Sequence, residues 1–138
     1  MNESRTVVVD PAVRYSPSDI EIMAGETYRF EASGKWRDAS IVCGPEGWNR
    51  LLVAWGLPFN RVRFRNYFAL CGNLGQSEGT NFYIGKSSNW TAPSGAIQPG
   101  KTASLFLFAN DLWSFYGNNS SVPENAGGPL VVRITRTG

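Results

Sequence analysis

One polar stretch carries residues whose types and spacing suit a definite chemistry: Asn110-Asp111-Leu112-Trp113-Ser114-Phe115-Tyr116-Gly117-Asn118-Asn119-Ser120. It starts where the most hydrophobic segment of the chain stops, and it is too polar to be more core. It offers one carboxylate, Asp111, and two adjacent carboxamides, Asn118 and Asn119, with a glycine between them that allows sharp backbone bending. A calcium ion takes about six to eight oxygen ligands from carboxylates, amide side chains, backbone carbonyls and water. Asp, Asn and Asn beside free carbonyls meet that demand. The same residue types also cap turns, because Asn and Asp side chains hydrogen-bond to nearby backbone. Spacing alone leaves both readings open. Asp38 is the other acid of interest, with turn capping as its plain alternative.

The composition excludes several other chemistries. The chain contains no histidine, which rules out Ser-His-Asp and Cys-His catalysis and any His-ligated zinc or haem site. Two cysteines, Cys43 and Cys71, are too few for a disulfide scaffold or a Cys-rich zinc site. One bridge or two buried thiols fit equally well. The 11 acidic residues are scattered over strand faces and turns, so no carboxylate pair of the glycosidase type stands out and no enzyme is expected. A net charge of +2 gives no reason to expect a nucleic-acid or membrane partner. No apolar run approaches the roughly 18 residues that span a bilayer. The opening MNESRTVVVD lacks the basic-then-apolar pattern of a leader, so a soluble protein without a signal peptide is expected.

The elements that must hold the polar stretch read as strands. A chain of 138 residues with 15 Gly, 8 Pro and 13% aromatics favours short strands and tight turns, and residues 1–138 are expected to form a single domain. Arg5–Asp10 is a β-branched run ended by Pro11. Asp19–Met23 follows. In Thr27–Ser33, Tyr28, Phe30 and Ala32 alternate with Thr27, Arg29 and Glu31, which predicts a strand with one wet face. Phe82–Gly85 is another short strand. Ser104–Ala109 is apolar on both faces, as a central strand is. In Leu130–Thr137 the residues Leu130, Val132 and Ile134 point inward. Between Gly34 and Gly79 the pattern is weak. There Arg61-Val62-Arg63-Phe64-Arg65 alternates with period two and predicts a strand with three guanidinium groups on one face, either a patch for an acidic partner or, preferably, a solvated face. No segment has helical periodicity. Roughly seven or eight strands predict an all-β, jelly-roll-like β-sandwich of two antiparallel sheets.

The run FANDLWSFYGNNS resembles the calcium-site segment of the PA-IL-like bacterial lectins, the galactophilic jelly-roll family. The resemblance extends to Ala32-Ser33-Gly34-Lys35-Trp36, similar to that family's Ala-Gly-Trp strand end, and to Gly44-Pro45-Glu46-Gly47, similar to its Gly-Pro-Gln-Gly turn. Cys71-Gly72 and Trp90-Thr91-Ala92-Pro93 look like its Cys-Gly pair and its Trp-Val-Ala-Pro. The match covers both ends of the chain well and the middle poorly.

Carried over by position, the resemblance implies that Asp111, Asn118 and Asn119 ligate calcium through side-chain oxygens. Phe115 and Ala39 would add backbone carbonyls. Two adjacent sugar hydroxyls would complete the shell, with Asp111 and Asn118 hydrogen-bonding them and Leu112 packing on the ring. The implied partner is a galactose-type carbohydrate, and the implied assembly a homo-oligomer, often a tetramer. One departure concerns specificity. The family's galactose readers include a histidine and a glutamine after the Gly-Pro turn, whereas this chain has no histidine and carries an unmatched stretch from Trp48 to Tyr67. Trp48, Trp55 and Trp113 offer apolar faces for a sugar ring, Trp113 foremost because it lies inside the polar loop; each also suits core or a subunit interface. Asn118-Asn119-Ser120, Asn119-Ser120-Ser121 and Asn89-Trp90-Thr91 match the N-glycosylation pattern. A glycan on Asn118 or Asn119 would destroy the metal site, so those two readings exclude each other, and calcium is preferred.

Overall fold

The structure, a computed structural model, describes residues 3–38, 41–48, 61–62, 68–111 and 119–138. Within them eleven strands run in chain order: β1 Ser4–Val8, β2 Ser16–Ile22, β3 Thr27–Ser33, β4 Trp36–Asp38, β5 Ile41–Cys43, β6 Leu70–Leu74, β7 Ser77–Tyr83, β8 Ser87–Thr91, β9 Ala103–Ala109, β10 Asn119–Ser121 and β11 Val131–Arg136. A single 3-10 turn, Glu124–Ala126, is the helical element among the described residues. No helix there is long and apolar enough to cross a membrane.

The strands form an all-β, sandwich-like arrangement of antiparallel sheets. One four-stranded sheet has the order β1-β11-β3-β8 and the other β2-β9-β6-β7. A small third sheet, β10-β4-β5, adds to the two expected. It arises because the chain leaves β3 through Gly34, at φ 91, and re-enters extended structure two residues later as β4. Only glycine fits that bend: a Cβ on Gly34 would overlap the Pro129 carbonyl.

Side-chain alternation sets which faces meet. Tyr28, Phe30 and Ala32 of β3 are buried beside Val132 and Ile134 of β11, while Arg29, Glu31 and Arg133 are exposed. Across the core lie Leu105 and Leu107 of β9 and Leu70 and Leu74 of β6. The central placement of β9, between β2 and β6, explains why Ser104–Ala109 reads as apolar on both faces. The other expected strands, Arg61–Arg65 apart, are found, most with shifted ends; of Phe82–Gly85 only Phe82 and Tyr83 are strand, as the end of the longer β7. Cys71 is buried and Cys43 half-buried.

The aromatic end of this core depends on a glycine. Phe82 stacks on Trp90 with ring centroids 4.1 Å apart and planes 6° from parallel, and its ring covers the Cα of Gly72 directly opposite on β6. A Cβ at Gly72 would overlap that ring. Gly72→Ala is therefore expected to push Phe82 off Trp90 and to cost about 1–3 kcal/mol, as overpacking of a filled core does. Urea unfolding with tryptophan fluorescence measures both the loss and the changed Trp90 environment.

Candidate functional site

The polar loop starts from a strongly held point. Asn110 follows β9 and is fully buried. Its carboxamide reads the backbone of Val62 at both ends: Oδ1 accepts from Val62 N at 2.8 Å and Nδ2 donates to Val62 O at 2.9 Å. Its own backbone is also engaged, with Asn110 N donating to Ala69 O at 3.0 Å and Phe68 N donating to Asn110 O at 2.6 Å. The next residue, Asp111, has 3% of its surface exposed, and its carbonyl accepts from Arg61 N at 3.2 Å. Segments 61–62 and 68–69 thus grip the chain immediately before the loop.

The far end of the loop is held by a different sheet. Asn119 opens β10 and lies opposite Asp38, the last residue of β4. The small third sheet thus pairs the residues that end the polar stretch, Asn119 and Ser120, with Asp38 and Arg37 just after Trp36. The Asn119 side chain is buried, at 6% exposure, and its Nδ2 donates to Pro11 O at 2.9 Å. That bond fixes the carboxamide, because reversing it would set two oxygens face to face. Oδ1 is left buried with no hydrogen-bond partner among the described residues. A buried, unsatisfied amide oxygen costs about 1–3 kcal/mol.

A metal ion coordinated by oxygen would remove that cost. Among the described residues no three His, Cys, Asp or Glu side chains converge. A cation here would therefore draw on carboxamide and carbonyl oxygens around one carboxylate, a donor set that suits a hard cation such as calcium better than zinc. Among the described residues, Asp111 and Asn119 are of the types such a cation takes. Of the residues expected at the site, Asp111 and Asn119 are buried at the two ends of the loop. Ala39, Leu112, Trp113, Phe115 and Asn118 lie outside the described residues, as does Trp55. Trp48 is half-buried and packs against the core, and Trp36, fully buried, donates from Nε1 to Phe68 O at 3.1 Å.

The expectation for Arg61 is corrected. Its side chain is not on a solvated strand face but completely buried, and residues 61–62 form a bend. Arg61 Nε and Nη2 donate to the two oxygens of Glu78, at 2.8 and 2.6 Å, and Nη1 donates to Arg14 O at 2.8 Å. The guanidinium lies 3.8 Å from the centroid of the Phe108 ring and 4.8 Å from that of Tyr15. Tyr15 donates its hydroxyl to Glu78 at 2.7 Å, and Asn81 Nδ2 to Glu78 at 3.1 Å. Burial alone would raise the Glu78 pKa, but the bonds and charge of Arg61, with Tyr15 and Asn81, outweigh it and hold the carboxyl below its ordinary value. Burial, and then the Glu78 carboxylate, push the Tyr15 phenol up. Arg63 and Arg65 lie outside the described residues.

Sequence reasoning missed Asn110 as the anchor, the Pro11 carbonyl and Glu78. Asn110 was visible as a buried-type position continuing an apolar strand, where a carboxamide demands partners. Nothing in the sequence pairs Glu78 with Arg61.

No protein-family model matches the chain, and no curated protein sequence does. Among solved structures, the EclA N-terminal domain, described as a PllA-like lectin, matches with a TM-score of 0.63 at 23% identity, over 97% of this chain and 95% of that one. Likeness at that identity is likeness of fold. The chain therefore adopts an all-β sandwich fold shared with a lectin domain.

Proposed function

We propose that the protein is a non-catalytic carbohydrate-binding domain, a lectin, in which sugar hydroxyls complete the coordination of a calcium ion. The observation that carries this is the buried Asn119 Oδ1, aimed away from Pro11 and lacking a partner among the described residues, at one end of a loop whose other end is the buried Asp111. The fold shared with a domain described as a PllA-like lectin supports the carbohydrate part. The sequence resemblance supports the calcium part and the galactose-type ligand.

In this reading Asp111, Asn118 and Asn119 hold the ion through side-chain oxygens, and Ala39 and Phe115 through carbonyls. Calcium supplies the positive charge that two vicinal hydroxyls of the sugar replace water to reach. Asp111 and Asn118 accept hydrogen bonds from those hydroxyls, while Leu112 and Trp113 give the ring an apolar face. Each sugar is held weakly, and avidity comes from a homo-oligomer that presents several sites.

Thermal unfolding in EDTA, in calcium, and in calcium with a panel of monosaccharides tests the proposal. A ligand that binds only the folded state raises the midpoint by mass action. Calcium is expected to raise Tm, and a galactose-type sugar to raise it further only when calcium is present. A calcium shift with no sugar response would leave a structural metal site in an interaction domain. A midpoint indifferent to both sinks the proposal.

A further inference from the structure

We infer that Asn110, together with the Arg61–Val62 segment it grips, is a positioning device for the metal loop, setting how the Asp111 carboxylate and carbonyl are presented. This rests on the calcium reading above and names what orders that site before the ion arrives. Hydrogen bonds from segments 61–62 and 68–69 converge on two consecutive residues. Val62 N and O clasp the Asn110 carboxamide at 2.8 and 2.9 Å, Phe68 N holds the Asn110 carbonyl at 2.6 Å, and Arg61 N holds the Asp111 carbonyl at 3.2 Å.

The clasp is anchored in turn by a charged side chain that cannot move cheaply. Arg61 is buried between Phe108 and Tyr15 and fixed in bidentate fashion to Glu78, so its backbone N–H is held at a fixed place beside Asp111. Phe108 is itself on β9, two residues before Asn110. The anchor and the loop origin therefore form one rigid unit. Oxygen ligands held in place by such supporting bonds bind metal about 10–100-fold more tightly than the same ligands left loose. Asn110 itself touches no ion in this account; it acts through Asp111.

The test is the calcium affinity of the intact protein by isothermal titration calorimetry, run beside its Tm in EDTA. Asn110→Ala is expected to weaken calcium binding about 10–100-fold. Asn110→Leu, close in volume and uncharged, removes both contacts to Val62 without adding charge beside Asp111 and is expected to fall in the same direction. Ile134→Val, a core change on β11 remote from the clasp, is expected to lower Tm while leaving calcium affinity unchanged. If both Asn110 variants lose stability in EDTA but keep the wild-type calcium Kd, the clasp is merely structural and the inference is overturned. If the wild-type protein takes up no calcium, this inference and the functional proposal fail together, so the two failures are told apart by the wild-type titration.

Discussion

Glu78→Ala is expected to lower stability at pH 7 by about 3–5 kcal/mol, because it strands a buried guanidinium. The Arg61 side chain has no exposed surface, whereas that of Glu78 keeps 25%. The two halves of the ion pair are therefore not equivalent. Removing the arginine as Arg61→Met leaves a carboxylate that can still reach water and keeps Tyr15 and Asn81 as donors. It is expected to cost distinctly less than Glu78→Ala. Replacing both as Arg61→Met with Glu78→Leu is expected to recover much of the loss, since an apolar pair carries no desolvation penalty. The sign of the pH dependence follows from the lowered Glu78 pKa. A carboxyl whose folded pKa lies below its unfolded value, near 4.5, stabilises the fold fully above that value and loses this contribution as pH falls through the folded pKa. The stability gap between the wild type and Glu78→Gln should thus be full at pH 7 and narrow below pH 4.5. Urea unfolding at pH 7 and in acid measures it, and a gap that widens in acid would contradict the ion-pair account.

The strands legible in the sequence are those with one wet face, and β9, whose apolar run Ser104–Ala109 is unbroken. β3 and β11 alternate because one side meets the core and the other meets water, and the pattern survives in Tyr28, Phe30, Ala32, Val132 and Ile134. β6 was not legible because all five of its residues, Leu70–Leu74, are buried, including Gly72 and Asn73. With no alternation to read and no unbroken apolar run like that of β9, β6 offers no strand signal, and a glycine that makes room for Phe82 looks like a turn residue. β4, β5 and β10 are three residues each, too short for any period. For the site, spacing marked Asp111 and Asn119, and the fold buries both. Arg61 misled because alternation with Arg63 and Arg65 is what a solvated face looks like. Its partner, Glu78, is seventeen residues away on β7, and sequence cannot display a contact of that kind.

Asn119→Ala is expected to abolish most of the response to calcium while leaving the metal-free protein nearly unchanged, and that combination separates a ligand from a turn cap. Without metal, the substitution removes a hydrogen bond to Pro11 O but also removes the buried Oδ1 that has no partner among the described residues. Each effect is about 1 kcal/mol or somewhat more, and they oppose one another. The midpoint in EDTA should hardly move. With calcium in large excess the outcome differs: a hundredfold loss of affinity removes about 2.7 kcal/mol of linked stabilisation. If Asn119 merely caps a turn, the order reverses: the EDTA midpoint falls and the calcium shift is untouched. Asn119→Asp supplies the opposite sign. It sets a carboxylate oxygen against the Pro11 carbonyl, so the metal-free protein should be less stable than wild type, and the added charge strengthens the hold on a divalent cation. The calcium-induced rise in Tm is then larger than that of the wild type, although it starts from a lower base. A pure stability defect cannot produce that pattern, because a destabilised fold with no ion to bind gains nothing from calcium.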